Sequence, residues 1–206
     1  EAVLAAVWVL IVVNAFNLID NMDGLAAGTA LIAAVALLAW SVRYGDFTPA
    51  AAVALSGATA GFLVWNVHPA RLFMGDSGSL LLGVLVAGLT LQDAGRAAGD
   101  WRFGVVVPIV LLAYPVFDMS LVVYDRLRRG DPISRGGRDH SSHRLARSGW
   151  SQRWAVGAWW SLAAVSSAVA YLAHDLDAGV WWSLAVALGV VYMVVGYSLL
   201  KVPADG

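Results

Sequence analysis

The sequence predicts an all-α, polytopic membrane helix bundle, and three observations carry that prediction. Of its 206 residues, 60% are hydrophobic and 13% are charged, whereas a soluble domain carries about 25% charge. Seven apolar stretches approach the ~20 residues that a helix needs to cross a bilayer at 1.5 Å per residue. The remaining polar residues gather in three short runs at the ends of those stretches. The net charge of −1 gives no electrostatic footprint for a partner, and no nucleic-acid contact is expected. With no cysteine, disulfides, thiolate nucleophiles and thiolate metal sites are excluded.

The predicted spans, in order, are 2–19, 25–43, 49–66, 78–92, 104–124, 154–173 and 180–200. The fourth is short and glycine-rich. The fifth contains Tyr114-Pro115, where a kink is expected. Connections are short except for 125–153. The chain runs from Glu1 directly into an apolar helix, with neither an initiator Met nor the charged n-region of a signal peptide. One integral-membrane domain is therefore expected over 1–206, as the C-terminal portion of a longer chain.

Seven alternating spans put the loops 20–24, 67–77 and 125–153 on one side, together with the C-terminus. The loops 44–48, 93–103 and 174–179 fall on the other. Ten of the thirteen Lys and Arg residues lie on the first side: Arg71, Arg126, Arg128, Arg129, Arg135, Arg138, Arg144, Arg147, Arg153 and Lys201. Positive charge marks the cytoplasmic face. The same alternation brings all three polar runs to that face, so one topology satisfies both the charge rule and a single shared site.

The first run is Asn14-Ala15-Phe16-Asn17-Leu18-Ile19-Asp20-Asn21-Met22-Asp23-Gly24. On a helix Asn14 and Asn17 share a face, Asp20 extends that stripe, and Asp23 follows in the turn. Helix caps also use Asp and Asn. A stripe of four polar residues at a membrane boundary goes beyond a cap, and two carboxylates so close call for a cation or a donor between them. The second run, Asn66 to Ser79, ends in Phe73-Met74-Gly75-Asp76-Ser77-Gly78-Ser79. A glycine-rich entry to a helix offers N–H groups to phosphate. Asp76 is suited to Mg²⁺, which prefers a few carboxylates plus substrate oxygens, with Mn²⁺ as a substitute. Phe73 offers a ring to a base. A plain capped turn explains the same string equally well.

The third run is Arg138-Asp139-His140-Ser141-Ser142-His143-Arg144. Positive-inside charge explains Arg126, Arg128 and Arg129, but not two histidines beside an Asp. His140, His143 and Arg144 are expected to be diphosphate donors, since Arg makes two-pronged phosphate contacts. A metal site here lacks an evident third ligand. Asp118, inside the fifth span, is a functional candidate by its depth, or else pairs with an interior Asn or Arg. His68 reads as an ordinary interface residue, and His174, Asp175 and Asp177 as a solvated turn on the far side. The ten Trp read as packing and interfacial anchors.

Asn-Ala-Phe-Asn-Leu-Ile-Asp-x-x-Asp-Gly-Leu-Ala-Ala-Gly and Asn-x-x-Pro-Ala-x-x-Phe-Met-Gly-Asp-x-Gly-Ser resemble the signatures of the polyprenyl-phosphate N-acetylhexosamine-1-phosphate transferases. The third run is similar to that family's His-x-His-His-Arg motif. This is the superfamily of the enterobacterial-antigen and teichoic-acid initiating enzymes and of the lipid I translocase. The resemblance covers the chain from about residue 5 onward. It implies transfer of a sugar-1-phosphate from a UDP-sugar, such as UDP-GlcNAc, to undecaprenyl or decaprenyl phosphate, with Mg²⁺ and release of UMP. Such a step initiates a cell-envelope glycopolymer (lipopolysaccharide, teichoic acid or arabinogalactan) at the cytoplasmic face of the inner membrane.

By this resemblance Asp76 is the Mg²⁺ ligand and Phe73 the ring that stacks on uracil. Asn17, Asp20 and Asp23 surround the nucleotide and the reacting phosphates, Asn66 adds a polar contact, and His140, His143 and Arg144 form the diphosphate and sugar side. Two positions depart from the pattern: Asn21 stands where many members have Gly, and Ser142 where the central histidine is expected. The latter argues against the lipid I translocase, whose histidines are consecutive. Members also carry an Asp-Asp pair on an earlier loop. This sequence has none, which implies further helices ahead of Glu1. UDP-MurNAc-pentapeptide transfer, an ion-coupled transporter and a non-catalytic relative are the alternatives, and a homodimer is left open.

Overall fold

The computed structural model describes residues 2–44, 49–96, 102–134 and 136–203. Glu1, 45–48, 97–101, Arg135 and 204–206 lie outside the described residues, and with them parts of the loops that the charge count uses. The described chain is helical, in the order α1 (Ala2–Ile19), α2 (Leu25–Tyr44), α3 (Pro49–Asn66), α4 (Gly75–Arg96), a π-helical turn (Arg102–Val106), α5 (Val107–Leu111), α6 (Ala113–Arg129), α7 (Ser141–Arg147), α8 (Gln152–Tyr171), a 3-10 turn (Leu172–His174) and α9 (Ala178–Leu200).

The expected count of seven spans is not reproduced. Among the described residues five helices are long and apolar enough to cross a membrane: Ala2–Ile19, Leu25–Arg43, Gly75–Gln92, Gln152–His174 and Ala178–Leu200. A sixth is a broken pair, Gly104–Leu111 and Ala113–Arg129, bent by 83°. The apolar helix Ala50–Asn66 is shorter than a span. It still returns to the end where α1 stops, because Asn66 bonds Gly24 there. The protein is thus an all-α polytopic membrane protein.

The kink expected in the fifth span is present, with the break at Leu112 (φ −102°, ψ 28°), in the turn just ahead of Pro115, whose ring would clash with the Leu111 carbonyl of an unbroken helix. Pro115 sits in the first turn of α6, where its missing N–H leaves no helix bond unmade. Leu112 closes α5 by donating its N–H to the Pro108 carbonyl and opens α6 by accepting from Val116. Gly130 ends α6 in the left-handed conformation, and the long loop then holds the short α7, which the sequence pattern did not reveal.

Two glycines set the packing. At Gly83 an added Cβ would lie 2.6 Å from the Val13 Cα, so α4 rides on the α1 backbone. Trp8 pins the same pair by donating Nε1–H to Thr90 Oγ1 at 2.9 Å. At Gly28 a Cβ would fall 2.2 Å from the Trp160 ring, which joins α2 to α8. Val12, Phe16, Ile19, Leu25, Val86 and Tyr114 fill the interior between these contacts. On the opposite end from the polar runs, Arg43 pairs with Asp175 at 2.9 Å and donates to the Tyr171 hydroxyl. Asp175 is therefore tied into the fold and is not the bare solvated turn the sequence suggested.

Because the neighbour of Gly83 is backbone, it cannot swing aside. Gly83→Ala is expected to destabilise the protein by about 1–3 kcal/mol. Gly88→Ala, on the same helix with open space around it, should be neutral or stabilising by up to ~1 kcal/mol. Thermal unfolding in detergent compares them, and equal melting temperatures for the two variants would contradict the close-crossing account.

Candidate active site

The α1–α4 crossing delivers the first two polar runs to one place. Asn17, in the last turn of α1, donates its Nδ2–H to Ser79 Oγ at 3.0 Å and to Asp76 Oδ1 at 3.3 Å. Ser79 is fully buried and passes its own hydroxyl back to the Gly75 and Asp76 carbonyls. Gly75 enters α4 at φ +62°, a conformation cheap only for glycine. Asp76 then stands exposed in the first turn, where a helix favours negative charge. Asp20, one residue beyond α1, is half-buried. Burial raises its carboxyl to about 6, and the nearby charge of Asp76 adds to the rise.

The turn and loop beside this pair are locked by the other residues of the runs. Gly24, at φ +79°, donates its N–H to Asn66 Oδ1 at 3.0 Å, and Asn66 Nδ2–H goes to the Leu72 carbonyl at 2.8 Å. Asn66 is buried, with both ends of its amide on backbone. Asp23 Oδ2 accepts the Ala70 N–H at 3.1 Å and lies 2.8 Å from His68 Nδ1. Asn66 and Asp23 are therefore placed as clips of the 67–74 loop. Phe73, in that loop, is 72% exposed.

Asn14 and Asn17 do share a face, as their spacing predicts. They line an open groove of about 750 Å³ between α1, α6 and the 133–140 loop. Val7, Leu10, Ile11, Leu18, Met119 and Val123 make its walls mostly apolar, and His140 lines it too. Asn14 directs Nδ2–H to the Leu10 carbonyl within its own helix.

The third run divides. His140 is buried, with Nδ1 2.8 Å from Asp118 Oδ2, so the partner of Asp118 is a histidine and not the Asn or Arg foreseen. His143 is half-buried at 6.5 Å between ring centroids from His140. Burial first, then its neighbours His140, Arg138 and Arg147, hold its imidazole below the usual range. Arg144 corrects the expectation of a diphosphate donor. Its side chain is 1% exposed, and its guanidinium serves the Asp139, Leu199 and Val202 carbonyls and the Asp125 carboxylate. It ties α7 to α6 and to the end of α9.

Sequence reasoning missed two further links. Asp139 takes both prongs of Arg126, at 2.7 and 2.8 Å. Burial works to raise its carboxyl, but these bonds outweigh it and hold the group below the ordinary range. Ser142 donates to Asn21 Oδ1 at 2.6 Å. The two positions that depart from the family pattern thus bond to each other and join α7 to the end of α1. No signal in one sequence reveals such a pair.

Among the described residues no three His, Cys, Asp or Glu side chains form a complete metal cage. Mg²⁺ needs none: one or two carboxylates suffice when water and phosphate oxygens fill the other positions. Asp20 and Asp76 fit that donor set, and their mutual repulsion is what a cation would relieve.

The raised Asp20 carboxyl carries a testable sign. A group whose folded value lies above its unfolded value favours folding fully below the unfolded value, here 3.8, and loses that contribution as pH rises through about 6. Without added divalent cation, Asp20→Asn should therefore melt higher than the wild type at pH 8, with the difference gone near pH 4. A wild type that is the more stable at pH 8 under those conditions would contradict the burial and charge assigned to Asp20.

With the geometry in place, the chain can be compared with known proteins. Residues 1–93 match the model of glycosyl transferase family 4. A Bacillus subtilis protein described as a probable undecaprenyl-phosphate N-acetylglucosaminyl 1-phosphate transferase is 36% identical, over 74% of this chain and 42% of the relative. The decaprenyl-phosphate N-acetylglucosaminephosphotransferase of Mycobacterium leprae is 37% identical, over 69% of this chain and 40% of its own. A phospho-N-acetylmuramoyl-pentapeptide-transferase of Moorella thermoacetica is 34% identical, over 79% and 49%. The chain spans just under half the length of these relatives. It is a homologue of the polyprenyl-phosphate N-acetylhexosamine-1-phosphate transferases, with its first 93 residues matching glycosyl transferase family 4.

Proposed function

We propose that the full-length protein transfers N-acetylhexosamine-1-phosphate from a UDP-sugar, UDP-GlcNAc by preference, to a polyprenyl phosphate. The products are a polyprenyl-diphosphate-sugar and UMP, and the reaction starts a cell-envelope glycopolymer at the cytoplasmic face of the plasma membrane. The observation that carries this reading is the Asp76 carboxylate, close enough to Asp20 to raise its carboxyl and bonded to Asn17, which itself lines the apolar groove. A lipid phosphate has that same division: an apolar chain for the groove and an anionic head for a cation at the carboxylate. The names of the Bacillus and Mycobacterium relatives support the lipid and the sugar.

In this reading an oxygen of the lipid phosphate attacks the β-phosphorus of the UDP-sugar, and the bond from that phosphorus to UMP breaks. Asp20 and Asp76 would hold Mg²⁺, which would supply positive charge to neutralise the diphosphate and the leaving phosphate. Asn17 orients Asp76 through its amide. The Asn66 and Asp23 clips fix the loop so that Phe73 presents its ring to the uracil. The apolar walls of the groove keep the lipid head at one depth, which lowers the entropic cost of bringing two phosphates together. UDP-MurNAc-pentapeptide as the donor is the second reading, which the Moorella relative favours; a panel of UDP-sugars separates the two.

Two substitutions test the assignment by UMP release from the full-length protein. Asp76→Asn should fold but lose several orders of magnitude in turnover, since one charge opposite the cation is gone. Wild-type turnover at limiting Mg²⁺ would refute the ligand role. Phe73→Ala should raise the KM for the UDP-sugar by about 5- to 150-fold, the equivalent of roughly 1–3 kcal/mol of base stacking. A change confined to the lipid KM would place the ring in the groove instead.

A further inference from the structure

Of the buried carboxylates that the proposed reaction leaves unused, Asp125 and Asp139 pair with arginines, while Asp118 faces a histidine. Asp118, on α6, is fully buried, and an unpaired carboxylate there would be costly. Its oxygens are divided between two neighbours. Oδ1 accepts the Ser141 backbone N–H at 2.7 Å and also the Ser141 hydroxyl, at the start of α7. Oδ2 lies 2.8 Å from His140 Nδ1. A carboxylate oxygen can only accept, so the proton of this contact belongs to Nδ1, and in the neutral ring Nε2 then carries a lone pair. The other titratable groups around the ring do not compete for it. Asp139 is bound by Arg126 and Arg129, and His143 stands 6.5 Å away between centroids. His140 also lines the groove beside Asn14 and Asn17.

We propose that Asp118 is a positioning residue that holds His140 as its Nδ1–H tautomer, so that Nε2 meets a phosphate monoester in the groove as a proton acceptor. This revises the sequence expectation of His140 as a donor, and its kinetic part rests on the transferase reading. The step balances. The P–O–H of the acceptor phosphate gives its proton to Nε2, and the freed oxygen forms the bond to the β-phosphorus. The bond from that phosphorus to the bridging oxygen breaks, and its electron pair leaves with UMP. The logic is that of any carboxylate that fixes a catalytic imidazole through the nitrogen turned away from the substrate.

Two variants separate positioning from mere support. Asp118→Asn is nearly isosteric and can still accept from Ser141, but it turns an N–H toward His140 Nδ1 and so forces the ring proton to Nε2. Ser141→Ala removes the hydroxyl bond and leaves the Asp118–His140 contact. Long-range ¹H–¹⁵N spectra of the full-length protein in lipid nanodiscs, with His140→Gln to assign the signals, report the tautomer. Turnover is read with UDP-GlcNAc and polyprenyl phosphate. The wild type and Ser141→Ala should show the Nδ1–H form, and Asp118→Asn the Nε2–H form. Asp118→Asn should lose on the order of 10²- to 10⁴-fold in kcat with the UDP-sugar KM unchanged, while Ser141→Ala keeps most of its turnover. An Nε2–H tautomer in the wild type overturns the proposal, as does a loss in Ser141→Ala equal to that in Asp118→Asn. If Asp118→Asn fails to fold, the wild-type tautomer and the Ser141→Ala kinetics still decide. If the wild type releases no UMP, the transferase reading fails and the tautomer alone decides the dyad.

Discussion

The backbone contact of α1 with α4 at Gly83 governs the rest of the site. A side chain there would strike the Val13 backbone, and only its absence lets the ends of the two helices meet. Asn17 then reaches both Ser79 and Asp76, and the carboxylates of Asp20 and Asp76 come near enough to repel. Two negative groups held together by a rigid apolar crossing cannot relax apart. A cation between them would relieve that repulsion, and under the proposed function it would also attract an anionic lipid head.

Polar residues at this end of the bundle fall into two sets. One set is spent on the fold. Asn66 and Asp23 clip the loop, Arg126 and Asp139 close the long connection, and Arg144 ties α7 to α6 and α9. Each is buried or half-buried with its donors and acceptors satisfied, as groups at that depth must be. The other set faces space a ligand can enter: Asp76 in an exposed helix turn, Phe73 in the exposed loop, Asp20 half-buried beside Asp76, and Asn14 and Asn17 on the wall of the groove that the buried His140 also lines. In the proposed reaction the second set would meet the two phosphates, and the first would hold it in place.

Much of this was legible in the sequence. Hydropathy and low charge read the all-α membrane class, and the three-residue spacing of Asn14 and Asn17 put both on one face. The common location of the three runs followed from alternation and the charge rule, and the bonds Asn17–Ser79, Asn66–Gly24 and Ser142–Asn21 bear it out. Other features were hidden for physical reasons. An Arg in a basic loop looks the same whether it binds phosphate or, like Arg144, caps carbonyls in the interior. A proline acts on the turn ahead of it, so the break appears at Leu112, three residues before Pro115. The partners of Asp118 and Asn21 lie far along the chain, at His140 and Ser142, where local pattern carries no information.

The central claim is that the carboxylate pair at the α1–α4 crossing serves the transfer of a whole sugar-1-phosphate. Following the β-phosphorus tests it directly. The full-length protein in nanodiscs would be given polyprenyl phosphate, Mg²⁺ and UDP-GlcNAc labelled with ³²P at the β position. The account expects the label to pass into the lipid product while the UMP released with it stays unlabelled. Label left in UDP, or freed as a water-soluble sugar phosphate without lipid product, would contradict it.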